Sequence, residues 1–334
     1  MKRFYDTKHK SKQDFLEFLK QFRIEDTNES VPVIINSICD GSNFTCRKCL
    51  DESIPISILL NPNIFLQRHF DINNEQRTLA ESREYAHKIQ LRVTYDEVSF
   101  VEKNTRLQTK TEIWNWVRIG RITGSVLKEA IKTSNEVPLP QANLIKRICH
   151  PYLFDTNTPA VAYGKKFEPI ALKQLLKTLQ RDHKNVKISD CGIYIHKEYP
   201  FLAVSPDGIA ECECCGKYTV EIKCPYRLHK HSTFNNQLSL EELASKSNSF
   251  IRRTGNEYEL VPTHAYYYQV QAETFITGVD FGLFMVWSQT EQCVIQVPKD
   301  LSLWNHCVDR VTIYFHNIIM PELLGNYYTR NVKA

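Results

Sequence analysis

The chain of 334 residues is long enough for one large domain or two, each with a full hydrophobic core. Its 42 basic and 38 acidic side chains leave a formal charge of +4, so whole-chain charge argues little for a nucleic-acid partner. Met1-Lys2-Arg3-Phe4-Tyr5-Asp6 has no apolar signal core and no apolar run approaches a membrane span, so a soluble, intracellular, reduced protein with no membrane partner is expected, nucleus or cytoplasm left open.

Residues 1–105 carry few signals and are read as an N-terminal accessory region, bounded where recognisable motifs begin. Asp14–Phe22 has helical apolar spacing, Val31–Ile38 and Ile54–Leu60 look like strands, and 71–92 is charged and partly helical. From Gln108 the signals sharpen. Trp114 and Trp116 lead into Val117-Arg118-Ile119-Gly120-Arg121-Ile122-Thr123-Gly124-Ser125, after which Val126, Leu127, Ala130 and Ile131 recur at helical spacing. Thr123 or Ser125 is a candidate N-cap, and a helix start with hydroxyls beside Arg118 and Arg121 suits an anion. Ordinary capping beside surface arginines gives the same pattern.

Tyr163-Gly164-Lys165-Lys166-Phe167-Glu168-Pro169 opens the next helix, whose stripe of Phe167, Ile170, Ala171, Leu175 and Leu179 predicts packing on a sheet. Pro169 fits a first turn, which would set Glu168 near the positive end of the dipole, either as a helix-start acid or as a site carboxylate. Lys165, Lys166, Lys173, Lys177, Arg181, Lys184 and Lys187 make the segment basic: a solvated face, or a track for a phosphate backbone.

Cys191–Ile195 and Phe201–Val204 then read as strands leading to Ser205-Pro206-Asp207-Gly208, a turn in which Pro fixes φ and Gly accepts positive φ. Residues 209–211 and 218–223 pair across a Cys-rich turn, which brings Asp207 close to Glu221. In the second strand Glu221 and Lys223 share one face while Val220, Ile222 and Cys224 enter the core. Adjacent carboxylates repel unless a cation sits between them. Hard oxygen donors suit Mg²⁺ or Mn²⁺, and Lys223 adds a fixed positive charge for orienting water or steadying a phosphate. Alone, Glu-x-Lys on a strand is as often a solvated face; Asp, spacer, Glu-x-Lys resembles the signature of the PD-(D/E)xK nuclease fold.

Residues 226–262 are polar and irregular, a candidate mobile loop or lid. Thr263 to Thr277 is helical and stops at Gly278, with Gln271 able to reach the cleft or to be a surface glutamine. Phe281–Ser288 and Val294–Val297 are strands, and Leu301 to Ile319 is a long amphipathic helix ending near Pro321. The alternation predicts an α/β fold, a mixed sheet flanked by helices on both faces. Of the eleven cysteines, Cys212-Glu213-Cys214-Cys215-Gly216 has the shape of a zinc knuckle and Cys46-Arg47-Lys48-Cys49 is the other C-x-x-C. Cys46, Cys49, Cys212 and Cys215 together would make a structural Zn²⁺ site; free thiols at a hairpin tip are the alternative.

Together these motifs resemble the lambda-type alkaline exonuclease family, the YqaJ-like viral recombinase nucleases of the PD-(D/E)xK superfamily. Five blocks stand in the family's order within 108–297: Trp-x-x-x-Arg with Arg-Ile-Thr-x-Ser (114–125), Tyr-Gly-x-x-x-Glu (163–168), Ser-Pro-Asp-Gly (205–208), Glu-Ile-Lys-Cys-Pro (221–225) and Gln-Val-Gln (269–271). The resemblance implies a restriction-endonuclease-like domain over 106–334. It implies Mg²⁺ or Mn²⁺, two ions, held by Asp207, Glu221 and the Ile222 carbonyl with Glu168 completing the site. Lys223 would activate or orient water, Gln271 would lie at or near the scissile phosphate, and Arg118 and Ser125, with Arg121 and Thr123, would receive a 5′-phosphate. The activity implied is 5′-to-3′ hydrolysis of double-stranded DNA ends in recombination or end processing, by a ring-shaped homo-oligomer with a strand-annealing partner. Gly124 departs from the family's usual Ala, and residues 1–107 have no counterpart. Two other readings use the same residues: a structure-specific endonuclease, and an inactive nuclease-like DNA-binding module, against which the joint presence of Glu168, Asp207, Glu221 and Lys223 speaks.

Overall fold

Ser205-Pro206 is the step between two sheets. The computed structural model describes residues 58, 61–132, 142–153, 158–228 and 238–330. Its first half runs α1 (Leu79–Lys88), α2 (Tyr95–Asn104), α3 (Glu112–Arg118), β1 (Ile122–Thr123), α4 (Gly124–Lys132), α5 (Ala142–Cys149) and α6 (Pro159–Asp182). Strands β2 (Lys187–Ser189), β3 (Tyr194–Ile195), β4 (Leu202–Val204), β5 (Gly208–Cys212) and β6 (Gly216–Lys223) come next. The remainder is α7 (Leu240–Ala244), β7 (Ile251–Thr254), β8 (Glu257–Leu260), α8 (Ala265–Thr277), β9 (Phe281–Trp287), β10 (Gln292–Pro298), α9 (Leu301–Tyr314), a π turn (Phe315–Ile319) and α10 (Met320–Gly325).

The larger sheet has the order β10-β9-β6-β5-β2, antiparallel except for β6 beside β9. One face is covered by α6, whose Phe167, Ala171, Leu175 and Leu179 meet Val220, Ile222 and Met285. The other receives Val270 of α8 against Phe284, Val286 and Val297. With both faces covered, Tyr218–Ile222 is buried at every position, as a central strand should be. The fold is the expected α/β arrangement of a mixed sheet between helices. The expected single sheet is two, however: β1, β4 and β3 form a separate one, with β1 parallel to β4. Pro206 has no N–H to continue the β4 ladder, so the chain leaves that sheet and enters the next at Gly208.

Three other expectations change. Helix α6 begins at Pro159, with Thr158 as N-cap accepting from Val161 N at 3.3 Å. Pro169 therefore lies inside the helix on its exposed side, and Glu168 is remote from the helix start. Residues 238–262 are ordered as α7, with a Ser239–Glu242 capping box, and the β7–β8 hairpin, while 229–237 lie outside the described residues. Pro321 does not stop the C-terminal helix. The Asn317 carbonyl, which a proline at i+4 cannot satisfy, accepts instead from Arg83 Nε at 3.1 Å and Tyr328 OH at 3.3 Å, and the π turn absorbs the change of phase.

Residues 61–105 share a core with the segment that follows: Ile64, Phe65, Val93 and Val101 pack with Val117, Ile193 and Ala203. Backbone amides of Gly192 and Ile193 donate to Glu102 Oε1 at 3.1 Å and Thr105 Oγ1 at 2.7 Å. Asp14–Phe22, Val31–Ile38 and nearly all of Ile54–Leu60 lie outside the described residues; Ile58 is helical. No helix among the described residues is long and apolar enough to cross a membrane.

Candidate active site

The β5–β6 pairing sets Gly208 opposite Val220, as the spacing predicted. Asp207 N donates to Val220 O at 3.0 Å, and Ile222 N donates to Asp207 Oδ2 at 2.7 Å. The side chain of Asp207 thus takes over the ladder one step beyond the last backbone pair and is held beside Glu221. Gly208 serves here through space and not through positive φ: a Cβ would lie 2.8 Å from Ile188 Cγ2, so β2 could not approach.

Glu221 is 3% exposed. Its Oε1 accepts from Lys223 Nζ and from Gln269 Nε2, the latter at 2.6 Å, while its Oε2 is buried and meets no hydrogen-bond donor among the described residues. The same Gln269 amide donates to Glu273 Oε1 at 3.0 Å; Glu273 Oε2 is also buried and meets no donor among the described residues, but the Glu273 and Glu221 carboxyls stand within hydrogen-bonding reach of each other, so a proton on Glu273 bridges the two. Lys223 Nζ lies 4.8 Å from the ring centroid of Tyr266. Burial pushes the Asp207 carboxyl well above the usual carboxylate range, reinforced by the charges of Glu221 and Glu168. Burial and Glu221 raise Glu168 and, further, Glu273. For Lys223 burial works against the charge, but Glu221 and Asp207 outweigh it and the ammonium stands above the ordinary lysine range.

Four carboxyl groups therefore gather with one ammonium among them, and two of the four have an oxygen that no donor among the described residues reaches. Buried oxygens without partners cost free energy that protons or a cation must relieve. An all-oxygen donor set of this kind fits a hard divalent ion such as Mg²⁺ or Mn²⁺.

Gln271 does not join this group. It is buried with its Nε2 donating to Pro298 O at 2.8 Å and its Oε1 accepting from Asp300 N at 2.8 Å, clamping α8 to the start of α9. Positions two apart on a helix are about 200° apart around the axis, so only one glutamine of Gln-Val-Gln can face the carboxyls. That residue is Gln269. Sequence reasoning missed Gln269 and Glu273, although they stand four apart and Glu273 is the sole charged residue of α8.

Arg121 is also corrected. It is 1% exposed, and its guanidinium donates to the carbonyls of Pro200 at 3.0 Å, Ile64 at 2.8 Å, Asn63 at 2.7 Å and Val117, which engages four of its five N–H groups inside the core and keeps it from an anion at the surface. Burial pushes its pKa down to about 9. Arg118 differs. Its guanidinium stacks 4.1 Å over Trp114, has no hydrogen-bond or ion-pair partner among the described residues, and is pushed down to about 10 by burial. Trp114 Nε1 donates to Ser205 Oγ at 3.4 Å, tying Arg118 to the turn that carries Asp207. Thr123 is buried and Ser125 exposed, their hydroxyls 3.2 Å apart at the start of α4. A Cβ on Gly124 would lie 3.1 Å from Gln269 Cγ, so this helix start abuts the residue that joins Glu221 to Glu273. Cys46 and Cys49 lie outside the described residues.

The sequence model of the YqaJ-like viral recombinase domain matches residues 113–280. The chain is 25% identical over 218 residues to the alkaline nuclease of Autographa californica nuclear polyhedrosis virus, covering 63% of this chain and 48% of that protein. It is 25% identical over 218 residues to the alkaline nuclease of Orgyia pseudotsugata multicapsid polyhedrosis virus, covering 62% and 47%. The chain spans about half the length of the curated relatives it matches. Among solved structures it is similar to the alkaline exonuclease LHK-Exo of Laribacter hongkongensis, with 17% identity, a TM-score of 0.46 and coverage of 66% of this chain and 98% of that one. The Shutoff and Exonuclease Protein from Kaposis Sarcoma Associated Herpesvirus gives 13%, 0.42, 77% and 78%. At such values these two likenesses are of outline and assign no residue a role.

Proposed function

The chain belongs to the YqaJ-like viral recombinase domain family, and from that premise we propose that it is a divalent-metal-dependent deoxyribonuclease, a 5′-to-3′ exonuclease on double-stranded ends acting in recombination or end processing. The viral relatives named alkaline nuclease support the reaction class. The observation that carries the reading is the meeting of Asp207, Glu221 and Glu168 at Lys223, with a buried Glu221 oxygen that no donor among the described residues reaches.

Asp207, Glu221 and the Ile222 carbonyl, with Glu168 completing the set, would hold Mg²⁺ or Mn²⁺ as a pair of ions, whose charge when bound polarises the phosphate and favours ionised water. Lys223, anchored by Glu221, orients the attacking water and offsets charge on the phosphate. Gln269 holds Glu221 by one oxygen and leaves the other free, while Glu273 holds Gln269 in turn. Arg118, with the hydroxyls of Thr123 and Ser125 at the start of α4, receives the terminal 5′-phosphate. Arg121 positions this segment by binding carbonyls. The exposed Lys173, Lys177 and Arg181 of α6 offer a track for the DNA backbone. A homo-oligomeric ring and a strand-annealing partner belong to the same proposal.

Linear duplexes with 5′-phosphate or 5′-hydroxyl ends and closed circles, each with and without Mg²⁺, test it. The 5′-phosphate ends should be digested fastest, closed circles spared, Asp207→Ala inert, and Arg118→Ala should erase the preference between ends. Ready cutting of closed circles means an endonuclease, binding without any cleavage means an inactive module, and activity in purified Asp207→Ala rejects this metal centre.

A further inference from the structure

Away from the carboxyl site, four softer donors meet where α6 ends. His183 is the C-cap of that helix, Cys212 ends β5, and Cys214 and Cys215 lie in the turn that leads to β6. His183 Nδ1 lies 3.2 Å from Cys214 Sγ, 3.5 Å from Cys215 Sγ and 3.6 Å from Cys212 Sγ. Cys214 Sγ is 3.4 Å from Cys212 Sγ and 3.8 Å from Cys215 Sγ, and all four donor atoms fall within 4.8 Å of one another. A tetrahedral zinc ion, with Zn–S about 2.3 Å and Zn–N about 2.0 Å, holds its donor atoms about 3.5–3.8 Å apart. The observed separations already approach that tetrahedron. We propose that His183, Cys212, Cys214 and Cys215 form a structural zinc site that staples the end of α6 to the β5–β6 hairpin.

Other uses of these groups fit less well. The sulfurs are well beyond the ~2.05 Å of a disulfide, and a disulfide would engage two thiols and leave a third beside the imidazole. A multi-iron cluster would need its ligands farther apart than a single ion does. Three thiolates and one imidazole select zinc over the hard ions suited to the carboxyl site. The turn is also built for it: Gly216 at φ +73 lets the backbone curl around the sulfurs, and the Cys215 amide donates to Cys212 Sγ. The two segments are joined besides by Glu213 N to Lys184 O at 3.1 Å and Asn185 Nδ2 to Glu213 Oε1 at 2.6 Å.

The staple has a consequence for the distant site. Helix α6 carries Glu168 about 22 Å along its axis from His183, while the hairpin strands run on to Asp207 and Glu221. Fixing one end of the helix to the hairpin sets how far it can slide along the sheet, and so where Glu168 stands. His183 completes a local set, and the pairing of Cys212 and Cys215 with Cys46 and Cys49 becomes a rival that experiment can separate.

The test is zinc content of the full chain, purified in reducing buffer without chelator and measured by plasma mass spectrometry. His183→Ala and Cys214→Ser/Cys215→Ser should each hold about one equivalent less than wild type, and Cys46→Ser/Cys49→Ser the same as wild type. His183→Cys, which keeps four donors, should retain the ion and so separates metal loss from misfolding. Cobalt(II) added to metal-free wild type should give intense visible bands with thiolate charge transfer, indicating a tetrahedral sulfur-rich site. Wild type free of zinc and without those bands overturns the proposal. So does an equivalent kept by His183→Ala, or lost with Cys46→Ser/Cys49→Ser.

Discussion

At the scale of single residues, the two glutamines of α8 divide between the carboxyl cluster and the packing of the fold. Gln269 touches both Glu221 and Glu273, whereas Gln271 holds Pro298 and Asp300 and touches neither. Gln269→Ala frees Glu221 to rotate and should lower the single-turnover cleavage rate about a hundredfold, the scale of a small misplacement of a reacting group, with little change in stability. Gln271→Ala strands a buried carbonyl and a backbone amide, so it should lower stability by about 1–3 kcal/mol in urea unfolding and spare the rate of the folded fraction. Equal effects on rate would remove the distinction. The sequence could not choose between them because α8 is covered by the sheet on one side and by α4 and α9 on others, so apolar residues ring it and no stripe fixes its phase. Asp207, Glu221 and Lys223 escaped that ambiguity because strand alternation and a short hairpin determine their faces. Arg121 was unreadable for another reason. Its carbonyl partners at Asn63 and Ile64 lie almost sixty positions away.

At the scale of elements, α10 shows how a distant contact decides a local outcome. Pro321 reads as a stop, yet the helix continues because Arg83 and Tyr328 satisfy Asn317. The next residue, Glu322, is fully buried and accepts from His150 Nε2 at 2.5 Å, Tyr328 N at 2.8 Å and Thr329 Oγ1. Burial alone would raise its carboxyl; the bonds and charge of His150, with Thr329 and Tyr328, outweigh burial and hold it below the usual carboxylate range. A depressed folded pKa gives stability that is fully present above the unfolded value of about 4.3 and is lost as pH falls through the folded one. Glu322→Gln should therefore lower stability at neutral pH by about 1–3 kcal/mol, by removing the charge that its buried hydrogen bonds serve, and lose less of it on acidification than wild type. Thermal melts of both proteins from pH 6 to pH 3 would check this, and parallel curves would show that Glu322 carries no such linkage.

For the whole molecule, the β5–β6 hairpin, α6 on the sheet and the end of α8 at Gly278 were readable because each rests on local pattern. The second sheet was not, since Ile122 pairs with Leu202, eighty positions on, and neither strand exceeds three residues. That long-range closure sets β4, and with it the chain entering Asp207, beside α4 and Arg118, so the two halves of the proposed site are assembled by the contacts least visible in sequence. What such closure confines is a group of mutually repelling carboxyls, and the fold without a cation bears their cost. A divalent ion that binds only the folded chain stabilises it by about 2.7 kcal/mol at a hundred times its Kd. At roughly 2 °C per kcal/mol for a chain of this size, Mg²⁺ or Mn²⁺ should raise the Tm by about 5 °C. Asp207→Asn or Glu221→Gln relieves the repulsion, so the metal-free Tm should equal or exceed that of wild type while the shift with metal disappears. Because no nucleic acid is present, this measurement separates ion binding from substrate binding. A wild-type Tm unmoved by either ion, or a shift kept by both variants, would show that the carboxyl cluster holds protons instead of metal.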